Sequence, residues 1–236
     1  MRNRLFTCAI AALFPALLGV GALADTPSPA AVASADWPER VYGASAEFTI
    51  LRDGKPVGRH MLRFQRDNGD LIVDARSDIA VKLLGFTMYS FEYHSRSVWR
   101  DGQLEQLTAI RTENGERQQV EARRQDGLLR VSGPSGANET PRTVFPTDHW
   151  HPGALQSELM LNTLTGGLEP VRVRRLDEPD DAAGAAHRYA YEGGFRAEVW
   201  YDRDWRWTRL RFAARDGSSI EYVCTSCTRL AAGTDQ

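Results

Sequence analysis

The chain has 236 residues, 42% hydrophobic and 25% charged, with 29 Lys and Arg against 31 Asp and Glu and a formal net charge of −2. So mild an acidic balance excludes electrostatic attraction to nucleic acid, or to anionic membrane, as a general basis for partnership. No Gly-rich phosphate loop or G-x-S-x-G elbow is present, so neither nucleotide chemistry nor a hydrolase of that type has a motif to rest on.

In chain order, Arg2 and Arg4 precede an apolar run, Leu5 to Val20, which ends in Ala22-Leu23-Ala24 before Asp25. This charged, apolar, small-residue order is that of a secretory signal peptide, and the run is short for a membrane span. Residues 1–24 are therefore expected to be removed after about Ala24, leaving 212 residues in the periplasm or outside the cell. With Arg2 and Arg4 gone, 27 basic residues face 31 acidic ones, and no second stretch reaches transmembrane length. Cys8 sits inside the apolar run without a small residue before it, which argues against a lipid anchor. Residues 25–40 are rich in Pro, Ala and Ser and read as a flexible lead-in to a single antiparallel β domain over 41–230.

From Val41 the rhythm is period two, broken by Asx-Gly pairs at Asp53-Gly54, Asn68-Gly69, Asp101-Gly102, Asn114-Gly115, Asp126-Gly127 and Asp216-Gly217. Such pairs accept the positive φ of tight hairpin turns. Ala46-Phe48-Ile50 and His60-Leu62-Phe64 read as a first hairpin. Leu71, Val73, Ala75, Ser77, Ile79, Val81 and Leu83 mark one face of the next strand, opposite Asp74, Arg76, Asp78 and Lys82. Tyr89, Phe91, Tyr93, Ser95, Ser97 and Trp99 form one face of the strand after it. Val171-Val173, Tyr189-Tyr191, Phe195-Val199, Trp207–Ala214 and Ser219–Cys224 continue the pattern, giving about a dozen strands. Between the halves, Pro152 with Leu155 and Leu159 four apart predicts one short helix over 152–162, closed by Asn162 to Gly167. One such helix cannot cover the apolar face of a dozen strands. The predicted fold is therefore mainly β: a curled antiparallel sheet, barrel or half-open barrel, with one short helix and an interior either filled or hollow.

Three motifs carry chemistry. Asp148 beside His149-Trp150-His151 has the makings of general acid–base work or a partial metal set, but no third ligand or nucleophile completes it, and the same residues suit the entrance of a helix. His60, His94 and His187 stand singly in strands. Cys224-Thr225-Ser226-Cys227 has redox-pair spacing without the helix that such a pair needs, leaving a local disulfide or two free thiols. Val199 to Trp207 is an aromatic and basic hairpin that either packs its rings inward or offers them to a sugar, peptide or protein partner.

The runs FTILRDGKPVG (48–58), VKLLGFTMY (81–89), RSVWRDG (96–102), PTDHW (146–150) and the stretch from Trp200 to Tyr222 together resemble an uncharacterised family of exported bacterial proteins, a domain of unknown function. That resemblance covers about 44–223 and implies no activity, cofactor or catalytic residue. More distantly, the expected architecture is similar to periplasmic lipoprotein carriers, whose concave face holds acyl chains. The expectation is a non-enzymatic periplasmic binding protein for a hydrophobic or amphipathic, lipid-like molecule, with no cofactor, no metal and no nucleic acid. Tyr89, Phe91, Tyr93, Trp99, His149, Trp150 and His151 are its candidate ligand-binding residues, and Cys224 and Cys227 its candidate disulfide. The alternatives are an envelope assembly partner or a hydrolase-like enzyme using Asp148, His149 and His151.

Overall fold

A computed structural model describes residues 37–83, 86–176 and 185–227. The expected signal peptide lies outside the described residues. The first part of the chain comprises α1 (Trp37–Tyr42), β1 (Ser45–Arg52), β2 (Lys55–Asp67), β3 (Asp70–Leu83), β4 (Phe86–Arg100), β5 (Gln103–Glu113), β6 (Glu116–Gln125), β7 (Leu128–Gly133) and β8 (Gly136–Thr140). The second comprises β9 (Phe145–Pro146), a 3-10 turn (Pro152–Gln156), β10 (Leu159–Leu161), β11 (Leu168–Leu176), β12 (His187–Gly193), β13 (Ala197–Tyr201), β14 (Trp207–Ala213) and β15 (Ser219–Cys224).

All fifteen strands join one sheet, ordered β8-β7-β6-β5-β4-β3-β2-β1-β15-β14-β13-β12-β11-β10-β9. The chain starts in the middle, walks by hairpins to the β8 edge, crosses to the β9 edge, and walks back until β15 pairs with β1. Every described pairing is antiparallel except β9 with β10. Five of the Asx-Gly pairs are two-residue turns with both residues at positive φ, from Asp53 (47°) and Gly54 (76°) to Asp126 (52°) and Gly127 (78°). That is the primed turn whose twist matches the strands it joins. Asp216-Gly217 instead belongs to a longer loop, in which Asp216 Oδ1 accepts from Ser218 N (3.1 Å).

The crossing between edges forces the sheet to curl. Laid flat, fifteen strands about 4.8 Å apart would separate β8 from β9 by more than about 60 Å. Only residues 141–144 link Thr140 to Phe145, a span of at most about 18 Å. The two edges therefore come round to face each other without pairing, and the sheet is a half-open barrel. A latch bridges the gap: Ser135 N donates to Thr165 O (2.8 Å) and Asn138 Nδ2 to Gly166 O (3.1 Å). Bulges at Ile50/Leu51, Val81/Lys82, Val98/Trp99 and Trp200/Tyr201 relieve the bending.

The short α-helix lies elsewhere than the sequence pattern places it. Pro152–Gln156 is a single 3-10 turn, and Leu159–Leu161 is strand β10, so the helix expected over 152–162 does not form. Met160 and Leu161 are fully buried in the sheet, and this tertiary burial overrides the helical spacing of Leu155 and Leu159. Among the described residues the α-helix is α1, which begins inside the expected lead-in over 25–40. Trp37 anchors it, stacking at 6.3 Å on Trp150, with Arg66 of β2 holding Glu39 (2.7 Å).

Candidate functional site

The alternation of β2 and β3 puts two polar side chains on the concave face among apolar ones: His60 beside Leu62 and Phe64, and Ser77 beside Ala75 and Val73. All are buried. β2 and β3 register sets His60 opposite Ser77, and His60 Nδ1 lies 2.8 Å from Ser77 Oγ. The link from β9 to the 3-10 turn brings the third and fourth polar groups, Asp148 and His149, into the interior.

That link is clamped by tyrosine hydroxyls. Tyr201 donates to the His149 carbonyl (2.9 Å), Tyr42 donates to the Trp150 carbonyl (2.9 Å), and Tyr42 accepts from the Trp207 amide (2.8 Å). Thr147 N donates to Leu161 O (3.0 Å), tying the link to β10. Between these anchors His149 is held at φ 56°, a conformation sparsely used outside glycine, and its ring is turned onto Phe195 (5.4 Å). Trp150 Nε1 donates to Asp148 Oδ2 (3.1 Å), which orients the carboxyl.

These groups meet around a partly open cavity of about 240 Å³ on the concave side of the curl. Its apolar walls include Phe91, Phe195, Trp207, Leu210, Phe212 and Tyr222; its polar lining includes His60, Ser77, Tyr93, Asp148, His149 and Thr163. Burial pushes the imidazoles of His60 and His149 down to about 3, His149 also feeling His60, and lifts the Asp148 carboxyl to about 8. At neutral pH the site thus contains two uncharged imidazoles and a largely protonated carboxyl. His60 Nε2 and His149 Nδ1 are buried without a hydrogen-bond partner.

A second depression, an open cleft of about 890 Å³, lies on the other side of the link, floored by Trp37, Trp99, Phe145, Trp150 and His151. The floor is a ring stack, with Trp99 on His151 at 5.8 Å and on Phe145 at 5.8 Å. His151 Nδ1 accepts from Gly153 N (2.9 Å) and so caps the 3-10 turn.

The expected ligand-binding residues therefore divide. Phe91, Tyr93 and His149 line the inner cavity; Trp99, Trp150 and His151 line the outer cleft. Tyr89 lines neither, and its hydroxyl donates to Glu113 (3.1 Å). The enzyme alternative loses its geometry, because Asp148 and His149 face the inner cavity while His151 faces the cleft and is committed to Gly153. His60, Ser77, Phe195, Phe212 and Tyr222 are cavity residues that the sequence reading did not select. The signal for His60 and Ser77 was a polar residue on the apolar side of an alternating strand. Among the described residues, no three of His, Cys, Asp and Glu gather as a metal-ligand set.

Cys224 and Cys227 are joined by a disulfide across a turn, Cα atoms 5.5 Å apart, at the exit of β15. The aromatic hairpin packs its rings away from solvent. Trp205 stacks on His187 (4.2 Å), Trp207 on Phe48 (4.1 Å), and Trp200 lies on the outer face under Arg188, Arg209 and Arg211 (5.0–5.4 Å). With Trp200, Trp205 and Trp207 all buried, that hairpin presents no exposed aromatic surface to a partner.

A family model described as a domain of unknown function, DUF6134, matches residues 48–225, most of the chain and nearly all of the sheet. The chain belongs to this family. Membership of DUF6134 accounts for the strand and turn signatures and brings no activity with it. No curated protein matches the chain. Among solved structures, the chain is similar to a β-barrel-like protein of another domain of unknown function, DUF1849, from Brucella abortus. The TM-score is 0.52 and the identity 12%, with 76% of this chain and 94% of that chain covered. At that identity the likeness shows the fold alone. Among the described residues of this DUF6134 protein, no helix is long and apolar enough to cross a membrane.

Proposed function

We propose that this is an exported, non-enzymatic binding protein that takes a small hydrophobic or amphipathic molecule into the inner cavity of its half-open barrel. The carrying observation is the cavity itself: about 240 Å³ inside the curl, walled by Phe91, Phe195, Leu210, Phe212 and Tyr222, where a filled core would bring side chains together. The volume falls below the roughly 300–1,000 Å³ of drug-sized sites, so the occupant is a small molecule or the end of a longer chain. Burial holds His60 and His149 at about 3, far below what a general base needs at neutral pH, which favours binding over catalysis. The leader-like Arg2, Arg4, Leu5–Val20 and Ala22-Leu23-Ala24 support a periplasmic or secreted location, an oxidising setting in keeping with the Cys224–Cys227 disulfide.

The test is native mass spectrometry on protein recovered from the periplasm of a host expressing the full chain, followed by displacement with the neutral fluorophore N-phenyl-1-naphthylamine. We expect a chain beginning at Asp25, a small-molecule adduct, and saturable fluorophore binding that Leu210→Trp reduces at least tenfold. A clean ligand-free mass together with no saturable fluorophore binding would refute the reading.

A further inference from the structure

The polar end of the inner cavity is more discriminating than its walls. His60 arrives from the middle of β2 and His149 from the link after β9, and both rings pack on Trp207, with centroids 5.7 and 6.0 Å away. Each brings one buried nitrogen with no partner, Nε2 of His60 and Nδ1 of His149. Unpaired buried polar atoms are uncommon in a well-packed fold, and three line this cavity, the two imidazole nitrogens and the Tyr93 hydroxyl oxygen, which points to a group that completes them. Among the described residues, no Lys, Arg or Glu lines this cavity.

We infer that the cavity selects an uncharged amphiphile through a hydroxyl group held between His60 Nε2 and His149 Nδ1, with the apolar body of the molecule lying against Phe91, Phe195 and Phe212. This rests on the binding reading above and names the class of molecule bound. A neutral imidazole offers one donor and one acceptor, and the Ser77 hydroxyl can stabilise either tautomer of His60. A ligand hydroxyl both donates and accepts, so it completes either arrangement. A carboxylate only accepts and an ammonium only donates. Each of those would also carry its charge into a desolvated lining in which burial keeps His60 and His149 neutral and favours the protonated form of Asp148 near pH 7.

Isothermal titration calorimetry at pH 7 with 1-octanol, octanoate and octylammonium decides the matter. Octanol should bind at least tenfold more tightly than either ion. The paired variant His60→Phe/His149→Phe should lose that preference while still binding N-phenyl-1-naphthylamine. Equal affinity across the three head groups, or tighter binding of an ion, would overturn the head-group assignment and leave the binding reading standing. Failure of all three probes and of the fluorophore would overturn both. Should the double variant not fold, the ranking of the three probes on the unaltered protein still decides.

Discussion

Burying an ionisable side chain favours its neutral form, and around one cavity this acts on groups of opposite type. Asp148, lifted to about 8, keeps its proton in the folded protein across the range, from about 4 to about 8, in which the unfolded chain loses it. The folded state then holds the extra proton, so stability falls as pH rises through that window. His60 and His149, depressed to about 3, run the other way. Below about 6.5 the unfolded chain binds protons that the folded chain refuses, so their contribution is lost as pH falls toward 3. Above about pH 7.5, where the unfolded-state histidines are already largely neutral, Asp148 acts nearly alone among these groups. Urea unfolding should therefore show a loss of about 1 kcal/mol from pH 7.5 to 9, and Asp148→Asn should remove most of that slope while leaving the acid-side loss. An unchanged slope in the variant would show that the carboxyl is ionised in the fold. At this scale the sequence was partly legible. Asp148, His149 and His151 stood out as chemistry-bearing types, but that Trp150 separates them between two depressions depends on how the Tyr42 and Tyr201 hydroxyls hold the backbone.

Strands and turns are set by local rules, so elements were the most readable part of the chain. The Asx-Gly turns, the hairpin of β1 with β2, and the inward faces of β3 and β4 follow from period two and from the positive φ that Asn, Asp and Gly tolerate. The misplaced helix shows the limit. Leu155 and Leu159 have helical spacing, yet residues 159–161 gain more by pairing with β11 and burying Met160 and Leu161. Gly58 tests strand spacing directly. A Cβ there would come within 2.1 Å of the Asp78 carbonyl oxygen and 2.9 Å of Ile79 Cα, both backbone atoms of the paired strand. Gly58→Ala should therefore cost about 2–3 kcal/mol, the upper part of the overpacking range, measured by urea denaturation. Unaltered stability would mean that β2 and β3 separate there at little cost.

At the scale of the whole molecule, the unpaired edges decide how open the barrel is. β8 and β9 are brought round by the four-residue crossing and held by the bonds from Ser135 and Asn138 to the 162–167 loop, whose Asn162, Thr163 and Leu164 line the inner cavity. Asn138→Ala removes one of the two bonds of this latch. A hydrogen bond of about 1 kcal/mol corresponds to roughly fivefold in an opening equilibrium. Hydrogen exchange at residues 162–167 should accelerate by about that factor while the strands around β1 and β15 keep their protection. Unchanged exchange in the loop would show that the latch does not limit opening.

By itself the sequence determined an antiparallel β chain with its turns in place and a sheet too large for one helix to cover. These follow from short-range physics: charge, alternation and backbone permissiveness. Only the tertiary structure decided that the sheet is half-open, that a short crossing joins its edges, and that His60 and His149 share one cavity. Those two residues stand 89 positions apart, and what joins them is strand order and the sense of curl, properties of the whole set of pairings that no local window of sequence contains.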